Sequence, residues 1–383
     1  MTFLFMGGVM YWCGLMCYRQ TQYVASISGV AKPINSYFWL IVFFFAIMCG
    51  IRYRCGVDCE YYVSGFLELK HGIPLSNHDR SFEPLFVAIS QFLAWIGAGR
   101  VLYLGAFAFI EVFTFYYALK TRNYLYPFIG LALILGPYFG PWNNGIRQVI
   151  ASCIFVLATV TIVDGNKGLK RYVEYALLIG LAALVHKSAL MLLPFVLLVF
   201  YNRVPNRLVA LTLLLLSVYV GHNEVLNSTF AGVDKILYQI GYESYSEKIY
   251  DLWEAEGGIT AYGPRRIAML LSYIMIILYS KNMDRYVNGD KFYRVSYLLF
   301  LIYACISEAM ISHSSLFSRP AFYFMPFCLI SSAYLFSFLK GNGKIGMYIL
   351  FALLVCTFFL MNNVGYYSTP DETALYKYIF FNR

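Results

Sequence analysis

Long apolar runs recur along the whole chain, and they constrain its fold more than any other feature of the sequence. Few of these runs contain a fixed charge, although Glu111 lies in the middle of one of them. A helix needs about 20 mostly apolar residues to cross a bilayer, so the runs predict about twelve membrane-spanning helices. Their approximate bounds are 3–18, 37–51, 101–119, 123–139, 148–163, 173–185, 188–201, 207–221, 267–280, 295–307, 320–339 and 345–361.

The overall composition excludes a soluble or disordered protein. Of the 383 residues, 60% are hydrophobic and only 13% are charged, whereas soluble domains are about 45–50% apolar. A soluble fold of this size could not bury so many apolar side chains. We therefore expect an all-α polytopic membrane protein whose single integral membrane domain covers residues 1–383.

Basic residues collect in alternate connections between the apolar runs and so orient the chain. Lys120 and Arg122 lie in one such connection, Lys170 and Arg171 in another, and Lys340 in a third. Basic loops are retained on the cytoplasmic side of bacterial membranes. The formal net charge of +9 is then concentrated on the cytoplasmic face, and we expect no nucleic-acid partner.

One apolar segment, 82–97, is long enough to span but would break this alternation. The conflict disappears if the segment lies along the outer interface as an amphipathic helix. Its opening Glu83–Pro84 is typical of a helix start at a polar boundary. Residues 58–70 predict a companion surface helix, so the first outer loop should carry two interfacial helices.

Two long outer segments follow from this topology, a periplasmic loop over 52–100 and a second over 222–266. The second is polar and aromatic, and we expect it to form an ordered lid. Tyr238, Tyr242 and Tyr245 share one helical face there. Exposed aromatic rings suit carbohydrate, so Tyr242 and Tyr245 are candidate sugar contacts; an interfacial aromatic belt is the alternative.

Ionisable side chains gather at the predicted outer ends of the spans. Charges at a membrane are costly and call for a partner or a function. Guanidinium groups grip phosphate oxygens bidentately and stay charged, and a nearby carboxylate can accept a proton from a sugar hydroxyl. The pattern predicts a site for a lipid-linked diphosphate. Its candidate residues are Arg52, Arg54, Asp58, Glu83, Arg147, His186 and Arg319.

Each of these residues also has a structural interpretation. The arginines can be anchors that extend to the lipid headgroups, and Asp58 can be a salt-bridge partner of Arg54. Glu83 can stabilise a helix start through the helix dipole, and His186 can be a packing residue. Glu111, in mid-span, favours a buried role in helix packing, with a proton-coupled role as the alternative.

Two motifs of the first outer loop resemble those of a known family. The run GIRYRCGVDCEYY at 50–62 is similar to the G-[IL]-R-Y-x-x-G-x-D-x-x-Y stretch of EpsG-like, Wzy-type polysaccharide polymerases. The E-P-L-F sequence at 83–86 also occurs in that family at the corresponding place. Both motifs contain residues that the charge argument had already selected.

Two further motifs extend this resemblance over roughly 45–200. Arg147–Gln148 resembles the N-x-x-R-Q-x-I-A start of a span in the same family, and His186 begins a similar H-x-S turn. Arg319 fits beyond that range. The order of a span, an Asp, two surface helices and a span also resembles the first outer loop of GT-C-type lipid-dependent glycosyltransferases.

The resemblance implies a glycosyltransferase that polymerises a bacterial surface polysaccharide, an O antigen or a capsule. Its substrates would be undecaprenyl-pyrophosphate-linked oligosaccharide units at the periplasmic face of the inner membrane. By the GT-C likeness, Asp58 is the leading general base and Glu83 the second candidate. The arginines would hold the pyrophosphate, and Gln148 and His186 would contact phosphate or sugar.

The resemblance also implies partners, namely membrane lipid, a chain-length regulator and a flippase that supplies substrate. No residue spacing resembles a metal site, and we expect neither a metal nor another cofactor. The closest rival function is an O-antigen ligase with the same donor. A rival of another class is a lipid-linked sugar flippase or transporter, which would need polar residues through the whole membrane depth.

Overall fold

Helices account for almost all of the structure, which is a computed structural model. It describes residues 2–53, 57–75, 82–165, 168–223, 263–311, 319–368 and 377–378. Three 3₁₀ segments, Lys120–Leu125, Lys187–Phe200 and Arg319–Tyr323, interrupt the α-helices. The α-helices are α1 (Thr2–Ser28), α2 (Ser36–Gly50), α3 (Val57–Lys70), α4 (Pro84–Trp95), α5 (Arg100–Ala118), α6 (Tyr126–Leu135), α7 (Phe139–Asn144), α8 (Ile146–Asp164), α9 (Leu169–Ala183), α10 (Arg207–His222), α11 (Pro264–Tyr286), α12 (Lys291–Ala309), α13 (Met325–Gly341) and α14 (Ile345–Ser368).

Each predicted apolar run coincides mainly with helical structure, in agreement with a polytopic helical membrane protein. Four helices, α5, α8, α11 and α12, are long and apolar enough to cross a membrane by length and composition. Shorter apolar helices include α2, α10 and α13. The all-α class is therefore confirmed at this level, while the count of twelve spans and the GT-C likeness stay predictions.

Polar side chains at the helix starts explain several of the boundaries. Asn35 precedes α2 and accepts hydrogen bonds from the backbone N–H groups of Tyr37 and Phe38 at 3.1 and 3.2 Å. Asp290 precedes α12 and accepts one from the backbone N–H of Phe292 at 3.0 Å. Such caps satisfy backbone donors that have no partner inside the helix.

The two helices of the first outer loop form as predicted, over α3 and α4. Both pack on α5 through stacked rings: Phe66 lies 4.0 Å from Tyr103 and Phe86 lies 4.9 Å from Phe107, measured between ring centroids. The other face of α4 exposes Trp95, which is 81% accessible. An apolar face of this kind suits a membrane interface, and the interfacial position of both helices stays a prediction.

Close backbone contact fixes the crossing of α2 and α5. A Cβ atom at Gly50 would lie 2.7 Å from the backbone oxygen of Val101 and 3.2 Å from the Cα of Gly105. Only glycine fits at such a distance. Small residues of this kind allow membrane helices to pack tightly. Close packing stabilises helix association within lipid, where the hydrophobic effect does not favour it.

Charged residues from three connections between helices meet at the end of α8. Arg122 donates to Asp164 at 2.7 and 3.0 Å and to Asp290 at 2.7 and 2.8 Å. Its side chain is only 10% exposed. A cavity of about 960 Å³, lined also by Tyr18 and Tyr124, opens beside these charges. The side of the membrane on which this group lies stays a prediction.

Replacement of Arg122 by alanine is expected to lower the free energy of unfolding by about 3–5 kcal/mol, because it leaves two carboxylates without their counter-charge. Equilibrium unfolding in mixed micelles measures this loss. Lys170→Ala is the matched control, since Lys170 pairs with Glu174 at 3.7 Å on the surface and is 83% exposed. Its effect should stay below about 1 kcal/mol; equal losses in the two variants would contradict the prediction.

A two-residue ladder joins the first outer loop to a late part of the chain. Arg52–Tyr53 (β1) pairs antiparallel with Lys377–Tyr378 (β2). In register, Arg52 lies opposite Tyr378 and Tyr53 lies opposite Lys377. The ladder fixes the backbone of Arg52 at the end of α2.

Candidate active site

A carboxylate, a guanidinium and an imidazole meet at the start of α8. Arg147 Nη1 donates to Glu83 Oε2 at 2.5 Å, and His186 Nδ1 lies 3.0 Å from Glu83 Oε1. The backbone N–H of Lys187 also donates to Oε1, at 3.0 Å. Both oxygens of Glu83 are thus engaged, and its side chain is 13% exposed. We call Glu83, Arg147 and His186 the Glu83 cluster.

Local sequence places two members of this cluster at helix boundaries. Glu83 is extended, at φ −72° and ψ 151°, directly before Pro84, the first residue of α4. Proline favours that position because its fixed φ is already helical. The backbone N–H of Leu85 donates to the oxygen of Leu184 at 2.9 Å. This bond joins α4 to the end of α9 and brings His186 beside Glu83.

Aromatic rings surround the guanidinium of Arg147. Its central carbon lies 4.8 Å from the ring centroid of Phe82 and 5.8 Å from that of Phe86. Its Nε donates to the hydroxyl of Tyr62 at 3.4 Å. The rings attract the cation directly, and they keep water away from it. An anion that reached Arg147 would therefore be bound more strongly than in bulk water.

The next residue of α8 contacts a different part of the chain. Gln148 Nε2 donates to the backbone oxygen of Arg319 at 2.6 Å, and Ser152 Oγ donates to the backbone oxygen of Phe322 at 3.2 Å. These bonds fix the segment Arg319–Tyr323 against α8. Gln148 therefore positions Arg319. The half-buried side chain of Arg319 makes no hydrogen bond or ion pair with another described residue.

Two residues beside His186 were not predicted as site residues. The ring of Tyr323 is stacked on the imidazole, with 6.2 Å between centroids and 27° between planes. Its hydroxyl lies 2.8 Å from Ser188 Oγ. Ser188 belongs to the H-x-S motif, but a serine and a tyrosine have no distinctive chemistry in a chain this aromatic. Only their proximity to His186 identifies them.

Arg52 and Asp58 belong to a neighbouring group around α7. The buried Arg52 donates to Asn143 Oδ1. The backbone N–H of Asp58 donates to Asn144 Oδ1 at 2.9 Å, and Asn144 Nδ2 donates to the Asp58 carboxylate at 3.4 Å. Glu111, expected to be a buried packing group, is 2% exposed and interacts electrostatically with Arg52.

This group and the Glu83 cluster adjoin each other. Asp58 and Tyr62 lie one turn apart on α3 and share a face, and Tyr62 contacts Arg147. Asn144, which holds Asp58, precedes Arg147 by three residues. The structure thus brings Arg52, Asp58 and Arg147 into one region, together with Gln148 and Arg319 across α8.

The remaining predicted site residues cannot be placed. Arg54, Tyr242 and Tyr245 lie outside the described residues, as does most of the loop over 222–266. Their roles in phosphate and sugar binding stay predictions.

Three hydrogen-bond donors control the ionisation of Glu83. Burial alone would raise the pKa of its carboxyl group. The hydrogen bond from His186, the positive charge of Arg147 and the backbone N–H of Lys187 outweigh burial, and together they lower the pKa from 4.5 to about 2. Glu83 is therefore an anion throughout the physiological range.

This lowered pKa predicts a pH dependence of stability. A group whose pKa falls on folding contributes stability above its unfolded pKa, and the contribution is lost as the pH falls through the folded value. Glu83 should therefore contribute fully above about pH 4.5 and lose its contribution towards about pH 2. Thermal unfolding in detergent between pH 7 and 2.5 tests this. Glu83→Gln should lose less stability than the wild type over the acid range; parallel curves would contradict the assignment.

The charges at the start of α8 suit an anion better than a metal. Arg147 is paired with Glu83, whose oxygens already accept three hydrogen bonds, and the nearby Arg319 adds a positive charge that no described residue pairs with. Across the ranges that the structure describes, no three His, Cys, Asp or Glu side chains are grouped so that they could hold a metal ion.

A family model matches nearly the whole chain. The model of the EpsG family matches residues 35–380. The chain belongs to the EpsG family. The resemblance drawn from short motifs is thereby confirmed, and it extends well beyond the range of those motifs. EpsG proteins are a Wzy-like polymerase family, and the Glu83 cluster and Arg319 both fall inside the match.

No curated protein and no solved structure matches this EpsG-family chain significantly. Membership in the EpsG family indicates a membrane protein of polysaccharide biosynthesis with a polymerase-like activity.

Proposed function

We propose that this EpsG-family protein is a polysaccharide polymerase that acts on lipid-linked diphosphate substrates. It would transfer the growing glycan from its lipid diphosphate carrier to the non-reducing end of a new lipid-linked repeat unit. The observation that supports this most is that the backbone of Arg319 is hydrogen-bonded to Gln148, the residue that follows Arg147 in α8, at 2.6 Å. Arg319 is uncommitted among the described residues, and Arg147 is surrounded by aromatic rings.

The proposed chemistry needs positive charge where the leaving group forms. As the bond from sugar to diphosphate breaks, the diphosphate gains negative charge, and fixed guanidinium groups stabilise it without reorganising. Arg147 and Arg319 would bind the diphosphate directly, with Arg54 as a further candidate. Gln148 would keep Arg319 in place through the 2.6 Å bond to its backbone.

The position of the site fits a substrate that stays in the membrane. Arg147 begins α8 and Asp164 ends it, so by helix rise the two charge clusters lie about 25 Å apart, close to the thickness of a bilayer core. With the Arg122 end in the cytoplasm, the Glu83 cluster faces the periplasm. We propose undecaprenyl-pyrophosphate-linked oligosaccharide as the substrate and the bacterial inner membrane as the location, with a flippase and a chain-length regulator as partners.

A cell-based experiment separates this function from its rivals. Deletion of a polymerase should leave single repeat units on the lipid A core, whereas deletion of an O-antigen ligase should leave none. In proteoliposomes, the purified protein should lengthen lipid-linked repeat units without another enzyme. Movement of these units across the bilayer without lengthening would identify a flippase and contradict the proposal.

A further inference from the structure

The two ring nitrogens of His186 have different surroundings. Nδ1 lies 3.0 Å from Glu83 Oε1, whereas Nε2 has no hydrogen-bond partner among the described residues. The side chain is 23% exposed, so this nitrogen is accessible in a recessed position. The ring is also held from one side by the stacked ring of Tyr323.

The chemistry of Glu83 determines which nitrogen carries the proton. Glu83 is ionised, because Arg147 and its other donors lower its pKa to about 2, and a carboxylate can only accept hydrogen bonds. Nδ1 of His186 must therefore be the donor. In the neutral ring, Nε2 then carries the free electron pair. A carboxylate that orients an imidazole in this way also stabilises the imidazolium that forms when Nε2 takes up a proton.

Both oxygens of Glu83 are themselves engaged, which makes Glu83 less suited to take a proton from substrate. Oε2 accepts from Arg147, and Oε1 accepts from His186 and from the backbone of Lys187. Asp58 is held by Asn144 through its backbone and its carboxylate. The imidazole of His186 has an electron pair on Nε2 that no described residue uses, and Glu83 and Tyr323 fix its orientation.

We infer that His186 is the catalytic base of the transfer, and that Glu83 is a positioning residue that fixes its tautomer and orientation. This inference rests on the proposed polymerase function. The sequence-based expectation was that Asp58 or Glu83 is the base, and the inference assigns that role to His186 instead. The pairing of His186 with Glu83 is not evident from the sequence, because the two residues lie 103 positions apart.

The transfer makes one glycosidic bond and breaks another. The acceptor hydroxyl oxygen attacks the anomeric carbon of the donor glycan and forms the new glycosidic bond, while its proton passes to His186 Nε2. The bond from the anomeric carbon to the diphosphate oxygen breaks, and its electron pair stays on the diphosphate beside Arg147 and Arg319. The products are the lengthened lipid-linked glycan and the free lipid diphosphate, and the imidazolium then loses its proton to water.

Purified protein in proteoliposomes, supplied with defined lipid-linked repeat units, tests this assignment. His186→Ala should lower kcat by about 10²- to 10⁴-fold, the range for loss of a general base. The KM for the donor should change by less than about threefold, since a base that acts in the transition state adds little to ground-state binding. Added imidazole should restore part of the rate in this variant, because a small base can occupy the vacated space. His71→Ala, at an exposed site after α3, should keep the wild-type rate.

The balance between kcat and KM in a Glu83 variant supplies a readout that a purely structural role would not change. Glu83→Gln should lower kcat more than it raises KM, because the variant loses the carboxylate that fixes the His186 tautomer and stabilises the imidazolium formed in the transition state.

Three results would overturn the inference. These are a normal rate in His186→Ala, a lowered rate that imidazole does not restore, and an unchanged kcat in Glu83→Gln. Loss of activity in Asp58→Asn together with a normal rate in His186→Ala would return the role of base to Asp58. If the wild-type protein lengthens no glycan at all, the proposed function fails, and that outcome is distinct from a failure of His186 alone.

Discussion

Replacement of Arg147 by alanine is expected to abolish long polysaccharide chains and to lower the transfer rate by at least about 10²- to 10³-fold, the loss seen when one preorganised donor is removed from a developing oxyanion. The guanidinium lies among aromatic rings, 4.8 Å from that of Phe82, so water cannot easily replace it. The measurements are chain length on gels from cells and the rate with purified protein, each normalised to the amount of protein in the membrane.

The variant also leaves Glu83 without its partner, so its effect must be separated from misfolding. Arg147→Lys keeps the positive charge but loses the planar fork, and it should fold while remaining slow. Arg100→Ala is the matched control, because Arg100 forms a similar 2.5 Å pair with Glu60 outside the cluster. It should make normal chains. Normal chains from Arg147→Ala would remove Arg147 from the site.

Replacement of Arg319 by alanine should weaken donor binding while leaving stability unchanged. A hydrogen bond to a charged group contributes about 1.5–3 kcal/mol, so the KM for the lipid-linked donor should rise by about tenfold to a hundredfold. Because the side chain of Arg319 pairs with no other described residue, its removal breaks no hydrogen bond or ion pair within the described structure. Titration of the donor in proteoliposomes tests the change in KM, and thermal unfolding of the same sample tests the unchanged stability.

Gln148→Leu provides a graded comparison for this prediction. It removes only the 2.6 Å bond that holds the Arg319 backbone and should raise the same KM by less than Arg319→Ala does. A fall in melting temperature of Arg319→Ala with an unchanged KM would assign Arg319 to structure rather than to the donor.

The sequence was most informative at positions where a charged side chain lies near or within the membrane. Charges at a membrane boundary are costly, and on that ground alone Glu83, Arg147, His186 and Arg319 could be selected from a mostly apolar chain. The structure places all four at one end of α8 or beside it. Glu111 was likewise recognised as a buried group, because a carboxylate in mid-span is too costly to leave facing the lipid.

The contacts among these residues could not be predicted in the same way. The hydrogen bond between Glu83 and His186 depends on how α4 packs against the end of α9, which no local pattern encodes. Asn143 and Asn144 are typical of a turn before a helix, yet they bind Arg52 and Asp58. The amide of an asparagine is as useful in a turn as in a tertiary contact, so the residue type alone does not distinguish these roles.

The span count was harder to predict than the helical class. Apolar runs indicate buried or lipid-facing segments, but they do not show where a helix is interrupted. The run at 123–139 contains a 3₁₀ turn, α6 and the start of α7, and the run at 188–201 lies in a 3₁₀ segment with Pro194 inside it. Proline removes a backbone donor, and these breaks follow the local chemistry rather than overall hydropathy.

The pairing of Arg52–Tyr53 with Lys377–Tyr378 has a consequence for biosynthesis. During translation, the first outer loop leaves the ribosome long before its partner strand exists. Contacts between Glu83, Arg147 and His186 involve segments that precede residue 190 and can form early, whereas this ladder must wait until residues 377–378 have been made. The backbone beside Arg52 therefore acquires its final arrangement only after all the described helices have been synthesised.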